Sequence, residues 1–383
     1  MRFSISRSSL LPALQISEAV AKKNKQMPIL GHVLINVTED QIEISGTDLN
    51  TQITTTASIA ETSQAGTPEP GSFSTPASKL ADLVRLSQDG SIFDFKLEDE
   101  RLMLQCGKSR YRLVQLPPEQ FPSFSEEDDQ TVSVLRIPAE VFLAALSRVK
   151  FAMAKDDVRY SLNGLNFDVK SGSIVTTATN GHILSNCLTV IEPTEERPDP
   201  QLADSRIFPR SAVLELVSML GRMTSQGPAL FVDVLVGRRH ARITLGNVTL
   251  HTKFIDSKYP DFNRLIQSSF ETVFTVNSSE IRSVIDRSLV IGKDDADSII
   301  VDVTPEGVEI SLTNQEMESI TEKIPCVAFE GEPAKLGFNG KYLKNAIEQV
   351  DSDETRISMT ANSLYVSDPN HSGWLALVLP RRI

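Results

Sequence analysis

Residues 2–20 read RFSISRSSLLPALQISEAV, in which a short apolar strand runs directly into a helix. The same pattern returns twice, as VSVLRIPAEVFLAALSRV at 132–149 and as VFTVNSSEIRSVIDRSLVI at 273–291. A repeat period of about 130 residues is far above the roughly 20–50 residues of a solenoid repeat. The three copies therefore predict three whole domains in tandem.

Each third of the chain continues in the same order, with a hairpin, a second strand-to-helix unit and closing strands. The hairpins are 36–45, 167–178 and 301–312, the second strand-to-helix units are 73–86, 207–220 and 337–350, and the closing strands are 93–106, 230–245 and 356–368. Apolar residues recur with a period of 3.6 in the helices and of two elsewhere, and alternation around Gly246-Asn247 predicts a hairpin there. Few helices among many strands predict an α+β protein, with two helices per domain on one side of antiparallel sheets.

Composition places two domain boundaries. Pro117-Pro118, Pro122 and the acidic run Glu126–Asp129 indicate a solvated linker, and the second boundary follows Tyr259–Phe262. The expected domains are residues 1–125, 130–265 and 270–383. The proline-rich, charged stretch 192–200 falls inside the second copy and indicates an exposed loop.

The composition is typical of a soluble intracellular protein. No apolar run approaches the roughly 18 residues that a membrane-spanning helix needs, and the N-terminus lacks an apolar signal segment. Cys106, Cys187 and Cys326 are isolated, as is typical of free thiols in a reducing compartment. We therefore expect a cytoplasmic protein that does not enter the membrane.

The charge is distributed unevenly, because the chain carries −12 while every predicted helix is net positive. The helix windows are 8–25, 76–87, 138–155, 209–222, 277–293 and 339–350. Cations near helix C-termini suit the macrodipole, but Lys79, Arg210, Arg282, Lys341 and Lys344 lie early in their helices. Charge alone leaves two interpretations open, complementation of helix dipoles or a basic track that holds a polyanion through phosphate contacts.

Catalytic patterns are absent from the sequence. It contains no GxxxxGK, GxGxxG, HExxH or GxSxG motif, and its five histidines do not stand at ligand spacing. Asp294–Asp297 lacks the glycine and terminal glutamate of a calcium loop and is more typical of an exposed loop. Thr179–His182 is typical of a turn centred on Asn180-Gly181. We expect no catalytic residue, metal or cofactor.

Several short motifs follow one another in a specific order along the chain. They are Pro28–Gly31, Gly46–Leu49, Val158–Tyr160, Leu162–Gly164, Thr179–His182, Pro209-Arg210, Tyr259–Phe262, Gly337–Asn339 and Leu379–Ile383. Together with the length and the threefold repeat, they resemble the bacterial DNA polymerase III sliding clamp, the beta subunit family of processivity factors. The resemblance extends from end to end of the chain.

The resemblance implies three tandem clamp domains per subunit and two subunits that join head to tail, because a head-to-tail contact that closes makes a ring. The homodimer would encircle double-stranded DNA without sequence specificity and would not be an enzyme. Its partners would be the replicative polymerase, other clamp-binding proteins with short peptide motifs, and a clamp loader, since this chain has no nucleotide motif of its own. Its location would be the bacterial cytoplasm, associated with the nucleoid.

The resemblance also implies a groove for partner peptides between the second and third domains. The matching positions are Leu162, Thr179, Gly181, His182, Leu184, Pro260, Arg264, Leu265, Asn339, Tyr342, Ser363, Leu377, Val378, Leu379, Pro380 and Arg381. Aliphatic walls with a few polar groups suit a short peptide. Asn180, Ile183 and Arg381 replace the Asp, Arg and Met that are common in the family, which affects the peptide preference.

Two further sets follow from the same resemblance. The expected DNA-facing residues are Lys22, Lys23, Lys25, Lys79, Arg148, Arg159, Tyr160, Arg210, Arg282 and Lys341. The expected subunit joint contains Lys79, Tyr111 and Leu113 on one side and Val290, Ile291, Glu316 and Glu318 on the other. Asn24 and Ser161 replace a basic residue and a tyrosine of the family.

Two other classes of protein stay open on the residues alone. One is an enzyme with a site around Thr179, His182 and Tyr342, which lacks an activated nucleophile and an acid–base pair. The other is a monomeric peptide-binding scaffold that never closes around DNA. The mass in solution distinguishes that scaffold from a ring, because the ring has twice the mass of the chain.

Overall fold

A computed structural model describes residues 1–59, 68–98, 101–122, 124, 133–170, 172–191, 204–225, 230–292 and 297–381. The expected linker at 126–129, the expected loop at 192–200 and Asp294 to Ala296 lie outside these residues. The chain divides into two compact units, residues 1–143 with 214–254 and residues 144–213 with 255–383. Within the described ranges, no helix is long and apolar enough to cross a membrane.

The elements follow one another in six half-units, each with one strand, one helix and three strands. The first two are β1 (Arg2–Ser6), α1 (Arg7–Glu18), β2 (His32–Val37), β3 (Gln41–Thr47), β4 (Thr51–Ser58), β5 (Gly71–Pro76), α2 (Ala77–Arg85), β6 (Ile92–Glu98), β7 (Arg101–Cys106) and β8 (Ser109–Val114). The next two are β9 (Ser133–Pro138), α3 (Ala139–Lys150), β10 (Gly164–Lys170), β11 (Ser173–Thr179), β12 (Ile183–Val190), β13 (Arg206–Pro209), α4 (Arg210–Thr224), β14 (Phe231–Val236), β15 (His240–Leu245) and β16 (Val248–Lys253).

The last third adds one short strand to this plan. Its elements are β17 (Thr272–Asn277), α5 (Ser278–Ile291), β18 (Ser298–Thr304), β19 (Gly307–Thr313), β20 (Ser319–Ile324), β21 (Ala328–Gly331), β22 (Ala334–Asn339), α6 (Gly340–Ile347), β23 (Glu354–Thr360), β24 (Ser363–Ser367) and β25 (Trp374–Val378). The prediction of three tandem α+β domains is confirmed, and β21 is the addition that the repeat pattern did not indicate.

The strands form two antiparallel sheets in each unit. In the first unit the strand orders are β1-β6-β7-β8 and β5-β2-β3-β4-β16-β15-β14-β9. In the second unit they are β13-β10-β11-β12-β25-β24-β23-β17-β21 and β20-β19-β18-β22. The long sheets continue from one third into the next, with Thr55 opposite Val248 and Ile183 opposite Val378.

The two half-units of each third exchange their first strands. In the first third, β1 pairs with β6, where Arg2 lies opposite Lys96, and β5 pairs with β2, where Pro76 lies opposite His32. In the second, β9 pairs with β14 and β13 pairs with β10. Each pair of half-units is therefore joined through its backbone hydrogen bonds.

Aromatic side chains fill the core between the sheets and helices of the first third. The rings of Phe3 and Phe95 are stacked at 4.6 Å, and Phe73 lies 6.2 Å from each of them. All three side chains are fully buried, and α1 and α2 cover them with buried residues such as Leu10 and Leu80. Burial of this apolar surface is the main term that stabilises the fold.

The helices begin where their capping residues predict. Pro76, Pro138 and Pro209 directly precede α2, α3 and α4, and the side chain of Asn277 accepts two backbone N–H groups at the start of α5. The window 8–25 was too long, because α1 ends at Glu18. Asn24 Oδ1 accepts from the Gln26 and Met27 N–H groups instead, and such local bonding competes with a helix.

Candidate functional site

A tight turn joins β11 to β12 and presents the His182 ring to solvent. Thr179 Oγ1 donates to the Ile183 carbonyl at 2.7 Å and accepts from the Gly181 N–H at 3.1 Å. Asn180 Oδ1 accepts from the N–H groups of His182 and Ile183 at 2.9 and 3.0 Å. Gly181 has a φ of +90°, which glycine adopts at little cost. The turn predicted at Asn180-Gly181 is present.

The His182 ring stacks on Tyr342, with ring centroids 6.2 Å apart and planes 13° from parallel. Tyr342 belongs to α6, whose start is held by Asn339 Oδ1, which accepts from the Lys341 and Tyr342 N–H groups. The His182 carbonyl accepts from the Leu379 N–H at 2.9 Å. The structure thus brings residues from three distant stretches of the chain together.

A buried apolar cluster lies along the same strands. Leu184, Tyr365 and Leu377 form it, with Phe262, Phe270, Leu375 and Leu379 partly buried against it. Leu184 lies opposite Leu377 in the β12–β25 ladder. The Tyr365 hydroxyl donates to the Leu265 carbonyl at 2.7 Å and so fixes a residue that is 42% exposed. The buried cluster thus forms an apolar surface, and the partly exposed Leu265 lies at its side.

The remaining groove residues differ in exposure. Leu162, Ser363 and Val378 are buried, Pro380 and Arg381 are half-buried, and Pro260 and Arg264 are exposed. The Arg381 N–H donates to the Gly337 carbonyl at 2.8 Å, which anchors the C-terminal segment beside β22. The hydrogen bonds and ring contacts found in the described residues do not join Pro260 or Arg264 to the His182–Tyr342 stack.

Sequence reasoning missed the aromatic side chains of this cluster. Tyr365 lies two residues after Ser363 in β24, and the strand period of two places both on one face, so the signal was available. Phe270 packs edge-on against Tyr365, with centroids 5.0 Å apart. Phe270 follows a serine pair at the expected domain boundary, and no motif indicated a role for it.

Arg159 directly precedes the helical turn Tyr160–Asn163, and Tyr160 is the first residue of that turn. The Arg159 guanidinium donates to both oxygens of Asp157 and to the Asn180 carbonyl at 3.2 Å, so it lies against the turn that carries His182. The hydrogen bond from this guanidinium lowers the pKa of Asp157 to about 2. Tyr160 is 75% exposed.

Most of the other cations expected to face DNA are at the surface. Lys22, Lys23 and Lys25 are exposed on the loop after α1, and Lys79 and Lys341 are exposed on α2 and α6. The half-buried Arg210 and Arg282 both donate to backbone carbonyls, those of Met153 and Val350 respectively. These two guanidinium groups therefore have structural partners of their own.

Arg148 was expected to face DNA, but the structure contradicts this because its side chain is buried. It donates to the Gln349 carbonyl at 3.0 Å and to Asp351 at 2.7 Å, and it lies 3.5 Å from Asp368. Its guanidinium also lies 5.7 Å from the ring centroid of Trp374. We interpret Arg148 as a structural cation, because two carboxylates and the Gln349 carbonyl of its own chain lie against its guanidinium donors.

The residues expected on one side of the subunit joint are brought together by Asn314. Its amide nitrogen donates to the Ile291 carbonyl at 3.0 Å and to Glu318 Oε2 at 2.7 Å. Its amide oxygen accepts from the N–H groups of Glu316 and Glu318. Val290 is 74% exposed beside them. The sequence did not single out Asn314, although asparagine is typical of such turns.

The residues expected on the other side lie in the first unit. Tyr111 and Leu113 belong to β8, the last strand of its sheet, and both pack on the core of the first third. Lys79 is exposed on α2. Strand β20, which follows Glu318, is likewise the last strand of its sheet.

The comparisons with known proteins agree along the whole chain. Residues 1–125, 136–261 and 263–382 match the N-terminal, central and C-terminal domains of the DNA polymerase III beta subunit. The beta sliding clamp of Pseudomonas putida is 28% identical over 385 residues, which is 100% of both chains.

Solved structures give the same result. The DNA polymerase sliding clamp of Pseudomonas aeruginosa has a TM-score of 0.88 and 26% identity, with 100% of both chains covered. A griselimycin-bound clamp from the same organism has a TM-score of 0.89 and 26% identity, again over 100% of both chains. The fold is that of a sliding clamp built from three tandem domains.

Because the three domain models together cover nearly all of the chain, it belongs to the DNA polymerase III beta subunit family. The role that follows from this membership is that of a processivity factor for DNA polymerase.

Proposed function

We propose that two copies of this chain close head to tail into a ring around double-stranded DNA and tether partner proteins through a peptide groove. The partners are the replicative polymerase, a clamp loader and other proteins with short clamp-binding peptides. The protein acts without catalysis, in the bacterial cytoplasm at the nucleoid. Its domains extend over residues 1–125, 130–265 and 270–383.

The single observation that carries the groove is the His182–Tyr342 stack beside the cluster of Leu184, Tyr365 and Leu377. Apolar anchors supply most of the affinity of a bound peptide, while fixed polar groups orient it. The polar groups here are held by local hydrogen bonds, such as that from the Leu379 N–H to the His182 carbonyl. A preformed site of this kind loses little entropy when it binds a peptide.

Deletion of residues 379–383 tests the groove. It removes Leu379 and the Arg381 anchor but leaves α2, β8 and α5 unchanged. We expect the truncated protein to dimerise and to stay on circular DNA, yet to lose binding of a peptide with Gln followed by Leu and Phe. Fluorescence anisotropy with the labelled peptide measures the loss, and unchanged affinity would show that the groove lies elsewhere.

The proposed ring is supported by β8 and β20, each of which lies at one end of a four-stranded sheet. A sheet edge presents unpaired backbone groups that favour pairing with another chain. Arg110 and Arg112 are exposed on β8, whereas the exposed Glu316 and Glu318 of opposite charge directly precede β20. Exposed charges of opposite sign beside β8 and before β20 favour contact between the β8 edge of one copy and the β20 edge of another.

Replacement of Val290 and Ile291 by aspartate tests the joint. Charge in an apolar contact costs several kcal/mol, so we expect a folded monomer. Sedimentation at micromolar concentration measures the mass, and Val190→Asp is the control because Val190 is 70% exposed at the end of β12. A double variant that stays dimeric would place the joint elsewhere, whereas a monomeric unaltered chain would favour the peptide-binding scaffold.

A ring also predicts topological retention on DNA. Protein loaded on nicked circular DNA should stay bound and should escape when the circle is cut, and its affinity should fall steeply with salt. Replacement of Lys23 and Lys25 by glutamine should reduce the salt slope, because both lie exposed on one loop. Equal retention on circular and linear DNA would argue against a ring.

A further inference from the structure

The turn between β19 and β20 has one residue in an unfavourable backbone conformation. Met317 has a φ of +67°, in the left-handed region where a side chain with a β-carbon is strained. Glycine or asparagine would adopt this conformation at lower cost. The chain nevertheless places a methionine here, so the side chain itself needs an explanation.

Asn314 holds Met317 in this conformation. The Asn314 carbonyl accepts from the Met317 N–H at 3.1 Å, and the Asn314 N–H donates to the Glu318 carbonyl at 3.0 Å. The amide oxygen of Asn314 accepts from the N–H groups on either side of Met317, those of Glu316 and Glu318. Asn314 is itself buried and is also bonded to the end of α5. The turn is therefore fixed from within, independently of the methionine side chain.

The side chain of Met317 is not used by the fold of its own chain, since the residue is 82% exposed. Val290, at the end of α5, is 74% exposed, and Asn314 bonds to its neighbour Ile291. Two large apolar side chains thus lie at the surface on segments joined by one buried asparagine. Glu316 and Glu318 flank the methionine.

We propose that Met317 is an apolar anchor that inserts against strand Ser109–Val114 of a second copy, an inference that rests on the proposed head-to-tail joint. That strand ends its sheet and offers Val114, which is 44% exposed and, by the strand period of two, lies on the same face as Arg110 and Arg112. A thioether packs well on aromatic and aliphatic surface because it is flexible and polarisable. Arg110 and Arg112 lie exposed on the same strand, where they match the glutamates that flank Met317.

This assignment separates the stability of the subunit from the affinity between subunits. Met317→Gly relieves the backbone strain and removes the anchor. We expect its Tm in the monomeric Val290→Asp/Ile291→Asp background to be unchanged or higher. In the otherwise unaltered chain we expect Met317→Gly to raise the dimer Kd by about tenfold or more, as loss of a central apolar contact does. Met317→Leu keeps an apolar side chain of similar volume and should stay within about threefold of the unaltered Kd.

Sedimentation over a dilution series gives the Kd values, and Val190→Asn serves as a control for loss of an exposed apolar side chain elsewhere. The proposal is overturned if Met317→Gly dimerises as tightly as the unaltered chain while Val290→Asp/Ile291→Asp is monomeric. It is also overturned if Met317→Gly lowers the Tm of the monomeric background, because Met317 would then support its own fold. If Val290→Asp/Ile291→Asp remains dimeric, the proposed joint itself fails.

Discussion

Replacement of Arg148 by methionine should destabilise the protein without weakening its hold on DNA. The variant keeps most of the volume and an unbranched apolar side chain but removes the guanidinium that lies 3.5 Å from Asp368. The side chain of Asp368 is 0% exposed, whereas that of Asp351 is 73% exposed. The decrease in the free energy of unfolding should therefore come mainly from the contact with Asp368, because an exposed ion pair such as that with Asp351 contributes little.

Removal of one partner from a buried ion pair costs about 3–5 kcal/mol. Asp368 retains the Ser352 hydroxyl and the N–H groups of Asp351 and Asn370 as donors. Burial would raise the pKa of Asp368, but these hydrogen bonds outweigh it and the pKa is lowered. We therefore expect the lower end, about 3 kcal/mol, which lowers the Tm of a unit of this size by roughly 6–12 °C.

Trp374 is the single tryptophan of the chain, and its Nε1 donates to the Arg148 carbonyl at 3.1 Å. Its fluorescence therefore reports unfolding at this position in a thermal or urea titration. Lys170→Met is the control, because Lys170 is 63% exposed and 3.7 Å from Asp168, and its cost should stay below about 0.5 kcal/mol.

Two results would refute this reasoning. A cost below about 1 kcal/mol for Arg148→Met would mean that Asp368 does not depend on the guanidinium. A decrease of about one in the salt slope of DNA retention would mean that Arg148 contacts a phosphate after all. We expect Arg148→Met to lower the free energy of unfolding and to leave the salt slope of DNA retention unchanged.

Three further outcomes follow from the structure. Burial lowers the pKa of His32 in the folded protein, whereas a histidine in the unfolded chain takes up its proton near pH 6.5. The free energy of unfolding, measured by urea titration, should therefore fall as the pH drops below that value, and it should fall less in His32→Gln. Gly331→Ala should cost several kcal/mol in urea titrations, since φ is +96° and a β-carbon would lie 2.0 Å from the Glu271 carbonyl oxygen. Gly181→Ala should weaken peptide binding by more than twofold in anisotropy titrations while the dimer persists, because φ is +90° and its β-carbon would meet Arg159 at 3.0 Å.

The order of strands and helices was predictable because each depends on local periodicity and on turn residues. The hairpin at Gly246-Asn247 shows this, since β15 ends at Leu245, β16 begins at Val248 and Gly246 has a φ of +57°. The end of α1 was not predictable from charge and apolar spacing, because Asn24 and the following N–H groups form a local alternative. Helix ends depend on such single hydrogen bonds.

The role of Arg148 was mistaken because an arginine on a helix carries no signal of burial. Its two carboxylate partners lie some 200 positions further along the chain, at 351 and 368, so only the folded chain shows the contact. Asn314 was missed for a related reason, since its bond to Ile291 joins a turn to the end of α5. The periodicity of a sequence predicts the apolar faces of helices and strands, but it does not predict hydrogen bonds between polar residues of distant segments.

The exchange of first strands between half-units has a consequence for synthesis on the ribosome. Strand β1 has no ladder partner until β6, at residues 92–98, has been made, and β9 must wait in the same way for β14 at 231–236. At about 5–20 residues per second, an apolar strand then stays unpaired for several seconds. Neither first strand can therefore complete its ladder until most of its own third has been synthesised, and the apolar side chains of Phe3 and Ile5 lack this ladder during the interval.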